Sequence, residues 1–228
     1  MKATLVVLAL DEIDGMQAIM PRIDPEWCHQ VIVVDGGSSD GTAEWARQKG
    51  YIVHVQERPG VRQACKEVWD LIEGDVVITF NPDGNSIPEK IPELMAKIEE
   101  GHDMVIASRY LGEARSDDDD LLTGFGNWFF TRTVNLLFGA KYTDVMVLFR
   151  AYRKNLIAEL GLDRDDAFTW VERLWRTGPP GSLHWDPLLA VRARIAGCRI
   201  AEIPASEPAR IGGYRKLRVF SWGGPSIF

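Results

Sequence analysis

Val31-Ile32-Val33-Val34-Asp35-Gly36-Gly37-Ser38-Ser39-Asp40-Gly41-Thr42 is the stretch that decides the fold. Four apolar, mostly β-branched residues in a row, with no polar alternation, read as a strand buried on both faces. An acid and a run of small residues then end the strand. Asp40, ahead of Gly41 and Thr42, suits the start of a helix. The same succession recurs through the first half of the chain. Short runs rich in Val and Ile lie at 4–10, 31–35, 51–55, 75–80 and 103–107, each expected to be buried on both faces. Stretches of helical spacing lie between them at 41–49, 61–73 and 88–100, the last opened by Pro88 and followed by Gly101. Strand and helix alternating at this rhythm predict an α/β fold with a mostly parallel, Rossmann-like sheet flanked by helices.

The second half has a different texture. Four consecutive acids, Asp117 to Asp120, read as a solvated, mobile loop within 111–123. A helix-like segment follows at 124–139, aromatic at its start and closed by Gly139. Further helices are expected at 152–160, 167–176 and 186–197, then a strand at 199–203 and an irregular tail from 205 to 228.

Composition narrows the function classes. With 228 residues, 46% apolar and 26% charged, the chain has globular composition and enough length for a real core. A formal net charge of -7 disfavours nucleic acid as a partner. Cys28, Cys65 and Cys198 are far apart and odd in number, which argues for a reducing, cytoplasmic setting and against disulfides or zinc. The apolar start meets Asp11, Glu12 and Asp14 rather than a cleavage site, so it reads as a strand and not a signal peptide. No run approaches the ~18 apolar residues of a membrane span.

Ligands of open parallel sheets bind at the carboxyl ends of strands. Four polar clusters fall there: Asp11-Glu12, residues 35–42, Asn81-Pro82-Asp83-Gly84-Asn85 and Ser108-Arg109-Tyr110. Asp35 at a strand end can accept from a base or ribose, although the residues after it would also make a plain turn and helix cap. Asn81, Asp83 and Asn85 offer oxygens at alternate positions, which suits magnesium or manganese; the same pattern makes an Asx turn. Arg109 directly after a buried strand needs a partner, either a phosphate or a structural carboxylate. Arg210, Arg215, Lys216 and Arg218 surround a Gly-Gly pair, either as an anion clamp or as a solvated loop. Trp128, Phe129 and Phe130 beside Arg132 suit an interfacial helix at lipid headgroups or a helix packed on the sheet.

In order along nearly the whole chain, residues 31–42, Asn-Pro-Asp-Gly-Asn at 81–85, Ala-Ser-Arg-Tyr at 107–110, Thr-Asp-Val-Met-Val-Leu-Phe-Arg-Ala-Tyr-Arg at 143–153 and Arg-Ile-Gly-Gly-Tyr-Arg-Lys-Leu-Arg at 210–218 resemble family 2 glycosyltransferases of the GT-A fold. The nearest group is similar to dolichyl-phosphate mannose synthase and other polyprenyl-phosphate glycosyltransferases. The resemblance implies a single domain over 1–228, with a nucleotide-sugar half (1–110) and an acceptor half (111–228). It implies inverting transfer from a nucleoside diphosphate sugar, with a lipid phosphate or a saccharide hydroxyl as acceptor and peripheral contact with the cytoplasmic membrane face. By the same resemblance Asp11, Glu12, Asp35, Arg62 and Asp83 bind the nucleotide sugar. Asp83, with Asn81 and Asn85, holds a divalent cation on the donor diphosphate, and Arg109, Arg132, Arg210 and Lys216 hold phosphates. Asp144 lies near the reacting sugar and is the candidate base for a hydroxyl acceptor, with Arg109 beside it in the catalytic set. The chain departs from the family pattern at Asn81, which replaces the first aspartate of the metal motif, at Gly36, which replaces the second aspartate of Asp-Asp-Gly-Ser, and at Leu148, where glycine precedes Phe-Arg. Two rivals remain. A nucleotidyltransferase would show a Gly-rich, Lys-containing loop after the first strand, which residues 11–15 lack. A non-catalytic binding module would bind the nucleotide sugar without transferring it.

Overall fold

The apolar run at 31–34 forms the middle of strand β2 (Gln30–Asp35), and its flanks are filled by strands of the same kind. The structure, a computed structural model, describes residues 1–164 and 186–212. Strands β1 (Ala3–Ala9), β2, β3 (Ile52–Val55), β4 (Val76–Phe80), β5 (Met104–Ser108), β6 (Arg150–Arg153) and β7 (Ile200–Pro204) form one seven-stranded sheet in the order β3-β2-β1-β4-β6-β5-β7. All pairings are parallel except those of β6, which runs antiparallel to β4 and β5.

Side chains alternate across the pleat, so each central strand feeds two cores. On one face Val6, Ile32, Val34, Val77 and Ile106 pack together, and on the other Leu5, Val7, Val33, Ile78 and Val105 do so. Helices α1 (Ile13–Ile19), α2 (Thr42–Gln48), α3 (Val61–Glu67), α4 (Ile91–Glu99), α5 (Leu121–Phe138), α6 (Leu156–Glu159) and α7 (Asp186–Ile195) flank the sheet. The apolar face of α4 closes one side through Ile91, Leu94 and Ile98, and Leu189, Ala190 and Ala193 of α7 close the other. Residues expected to form a buried strand rather than a signal segment are the buried strand β1.

Several expectations need correction. β3 is an edge strand with Ile52 and Val55 half-exposed, because only β2 pairs with it. The helix expected at 61–73 stops at Glu67, and a short 3-10 turn, Trp69–Leu71, follows. The helix expected at 152–160 divides into β6 and α6: β4 and β5 leave a gap that residues 150–153 fill by pairing on both sides. α1, which follows Asp11 and Glu12, has too few apolar repeats to announce itself. The acid run is not a plain mobile loop. Asp120 caps α5 by accepting from the Thr123 amide, so the helix starts at 121 rather than 124, and Asp119 accepts from Tyr110. Gly139 closes the helix in the left-handed region, with φ of 61°. The helix expected at 167–176 lies outside the described residues.

The reversed strand matters for function. Arg150 pairs with Thr79 near the end of β4 and Ile106 near the end of β5. Residues 143–149, which lead into β6, therefore lie at the same sheet edge as the carboxyl ends of its neighbours.

Candidate active site

The loops after β1 and β2 are stitched together at that edge. Asp11, at a strained φ of 47°, donates its amide to Ser38 Oγ at 2.8 Å, and its Oδ1 accepts the Ser39 amide at 2.7 Å. The Glu12 amide donates to Thr42 Oγ1 at 3.0 Å and the Ile13 amide to Asp40 Oδ2 at 2.9 Å. Burial pushes the Asp40 carboxyl up, but bonds from the Thr42 hydroxyl and the Ile13 and Thr42 amides outweigh it and hold the group below the usual carboxylate range. Asp40 and one oxygen of Asp11 are thus committed to holding the two loops in register. Asp35 differs. Its Oδ2 accepts the Gly37 and Ser38 amides at 3.0 Å each, while Oδ1 of this 1% exposed residue is buried without a partner. An orphaned acceptor at a strand end is what a ligand N–H or hydroxyl would satisfy. Arg62 is buried in the first turn of α3, after β3.

Asp83, 3% exposed, makes the turn and pairs with a cation of the protein itself. Its Oδ1 accepts the Asn85 amide at 3.0 Å, which is the Asx turn, and its Oδ2 meets the Arg210 guanidinium at 2.9 Å. Arg210 also reaches Glu12 Oε1 at 3.3 Å. Carboxylates from two strand ends therefore converge on one cation. Asn85 gives its amide nitrogen to the Pro208 carbonyl and keeps Oδ1 buried without a partner. Asn81 is half-buried. The loop sits tightly on α1: a Cβ on Gly15 would lie 2.4 Å from the Pro82 carbonyl oxygen. Carboxylate and amide oxygens of this kind fit a hard divalent cation. Among the described residues, no three His, Cys, Asp or Glu side chains cluster as a self-sufficient metal site.

Arg109 and Asp144 find each other. Arg109 Nε donates to Asp144 Oδ2 at 2.6 Å and Nη2 to Oδ1 at 3.0 Å, a bidentate pair in which Asp144 is fully buried. Asp144 Oδ1 also accepts the Met146 and Val147 amides. The third arm of Arg109 reaches Glu207 Oε2 at 3.4 Å. Burial works against the Arg109 charge, but Asp144 and Glu207 hold its pKa above the ordinary arginine value. These contacts favour the structural alternative at both residues. Arg109 is engaged by carboxylates rather than left open for phosphate, and Asp144 is saturated with donors rather than poised to take a proton. Arg132 is exposed on α5. Lys216, Arg215 and Arg218 lie outside the described residues.

Three supporting residues had no role in the sequence reading. Arg150, fully buried, donates to the Val145 and Val147 carbonyls and braces the turn that presents Asp144. Glu202 accepts the Thr143 and Asp144 amides, and Glu207 accepts from Ser116 and Arg109. Burial pushes both carboxyls above the ordinary glutamate value. Arg150 gave no local signal, because Arg150-Ala151-Tyr152-Arg153 has no strand pattern. Glu207 gave none within a tail that reads as irregular.

The sequence pattern described as glycosyl transferase family 2 matches residues 29–161, more than half of the chain. The chain belongs to that family. Among its relatives is the dolichyl-phosphate hexose transferase of Haloferax volcanii, 30% identical over 194 residues that cover 85% of this chain and 76% of that protein. Another is the undecaprenyl-phosphate mannosyltransferase of Micrococcus luteus, 26% identical over 95% of this chain and 88% of that one. Several other relatives are longer, and the chain spans about half their length. The fold is that of glucosyl-3-phosphoglycerate synthase from Mycobacterium tuberculosis, solved with Mn2+, uridine diphosphate and glucosyl-3-phosphoglycerate. That likeness has a TM-score of 0.67 at 19% identity and covers 97% of this chain and 75% of that one. The α/β, GT-A architecture expected for a family 2 glycosyltransferase is therefore the one observed.

Proposed function

We propose that this family 2 glycosyltransferase moves a sugar from a nucleoside diphosphate sugar to a polyprenyl phosphate at a membrane surface. One observation bears most of the weight. Asp83 and Glu12, from the ends of different strands, converge on one cationic group beside the unpartnered Asn85 Oδ1. With donor bound, Asp83 and Asn85 would hold a divalent cation, which stabilises the leaving diphosphate as charge develops. Asp35 would accept from the base or ribose through its orphaned Oδ1.

The acceptor reading is favoured by what Asp144 is not free to do. A hydroxyl acceptor needs a general base, and the acid expected to supply it is locked to Arg109 and two amides. A lipid phosphate is already an anion and needs none. Helix α5 supports the same reading, because it presents its apolar residues outward. Asn127, Thr131 and Val134 face the protein, whereas Leu121 (96% exposed), Phe125 (61%), Trp128 (55%) and Phe129 (59%) face solvent. An outward apolar face that carries exposed Arg132 and continues to Leu136 and Leu137 suits the headgroup boundary. No helix among the described residues is long and apolar enough to cross a membrane.

The test is transfer of labelled sugar from a panel of nucleoside diphosphate sugars to undecaprenyl phosphate with Mn2+. Asp83→Ala should lower turnover by two orders of magnitude or more, roughly the cost of losing one group that stabilises a transition state. Wild-type turnover in that variant, or transfer only to saccharide hydroxyls, overturns the proposal.

A further inference from the structure

Residues 205–212 leave β7 and cross the edge of the sheet as a strap. They are fixed at both ends, and the two fixings differ in kind. At the first, Glu207 accepts from Arg109 and Ser116, its amide donates to the Arg115 carbonyl, and its carbonyl accepts the Asp117 amide. Arg109 there has a partner for each nitrogen. At the second, Arg210 spans Asp83 and Glu12, while its own Nε is buried without a partner. The Ile211 amide donates to the Asp83 carbonyl at 2.7 Å, and Asn85 Nδ2 donates to the Pro208 carbonyl at 3.1 Å. Ile211 rests on Gly84, where a Cβ would lie 2.7 Å from its Cγ1, and Gly212 lies against Asp14. The second fixing therefore rests mainly on the motif at 83–85, with Glu12 and Asp14 beside it.

This arrangement has a consequence for the cation, and it rests on the donor-site reading given above. A guanidinium and a divalent cation cannot both sit on Asp83 Oδ2, because like charges at contact distance repel strongly where water is excluded. We propose that Arg210 is a built-in stand-in for the divalent cation: it holds the strap across the donor pocket, and a cation taking Asp83 displaces Arg210 and lifts residues 208–212 from the pocket. The Arg109–Glu207 pair is then the fixed end about which the strap moves, so Arg109 is a positioning residue. The asymmetry of the two arginines supports this. The satisfied one is built to stay, and the one with a dangling Nε gives up less on leaving. Asn81 adds to it, since one acid fewer in the motif makes the remaining carboxylate the place where the two cations must compete.

The full chain tests this with Mn2+ alone, before any donor is added. Trypsin cleaves after arginine, so the Arg210–Ile211 bond reports whether the strap is seated, and exposed Arg115 provides an internal reference site. Mn2+ should speed cleavage at Arg210 relative to Arg115, and Asp83→Ala should remove that dependence. Arg210→Gln should bind Mn2+ about tenfold more tightly than wild type, as expected when a competing charged pair is removed. Equal Mn2+ affinity in wild type and Arg210→Gln, or cleavage at Arg210 that ignores Mn2+, overturns the strap proposal while leaving the donor site standing. Absence of Mn2+ binding in both proteins, with or without uridine or guanosine diphosphate, overturns the strap and the donor-site reading together.

Discussion

Asp144 shows how strongly a residue's role depends on its neighbours. Its carboxylate is fully buried, yet it accepts two bonds from Arg109 and amide bonds from residues 146 and 147. Breaking a buried pair by removing one partner costs about 3–5 kcal/mol, because the other charge is left without compensation. Asp144→Ala is therefore expected to lower unfolding stability by about that amount in urea titrations. If Asp144 instead acted as a base, Asp144→Asn would abolish turnover with stability nearly intact. Glu202, which accepts the Asp144 amide, offers a pH test. Burial raises its pKa in the native state, so above the ordinary glutamate value of about 4.3 the native protein keeps a proton that the unfolded chain has lost. Stability contributed there falls as pH rises through the window, with a limiting slope of about 1.4 kcal/mol per pH unit. Glu202→Gln removes that dependence. Its stability relative to wild type should therefore rise with pH across the same window, read from melting temperatures in matched buffers. A difference that stays flat would mean the carboxyl is not held protonated.

At the scale of elements, the order of strands and helices in the first half was readable because each piece is local. An apolar run with a polar end is a strand whatever lies beside it. β6 was not readable, since Arg150-Ala151-Tyr152-Arg153 has no strand pattern and is made a strand only by pairing on both sides, with β4 and β5. β3 failed in the opposite way: its residues look like a core strand, and only its place at the sheet edge leaves them exposed. Helix α5 had two readings because periodicity gives a face without saying which way it turns. Asn127 and Thr131, together with Val134, are the ones turned inward. That inversion makes a prediction about the helix as a unit. The double variant Phe125→Ser, Phe129→Ser should weaken co-sedimentation with phospholipid vesicles by at least about tenfold, from the transfer energy of two partly inserted rings. It should leave melting temperature unchanged, because neither ring is part of the core. A fall in melting temperature without a change in vesicle binding would assign the face to packing instead.

Across the whole molecule, the site was legible to the extent that it lies at strand ends. Asp35 and Asp83 follow their strands directly, and the carboxyl-end rule placed them together. The contacts that complete the site join residues far apart in sequence: Arg109 to Asp144, Arg109 to Glu207, and Arg210 to Glu12 across 198 positions. No local pattern encodes such pairings; the sheet order creates them, by laying antiparallel β6 between β4 and β5 and β7 beside β5. A donor that bridges these elements should therefore stabilise the molecule as a whole rather than a single loop. By mass action, a nucleoside diphosphate sugar at a hundred times its Kd adds about 2.7 kcal/mol, which for a chain of this size raises the melting temperature by about 5–10 °C. The shift should need Mn2+, disappear in Asp83→Ala and shrink in Asp35→Asn, which changes the orphaned acceptor without emptying the space around it. A shift that survives Asp83→Ala would place the nucleotide elsewhere on the sheet edge. One that is untouched by Asp35→Asn would remove the base or ribose from the end of β2.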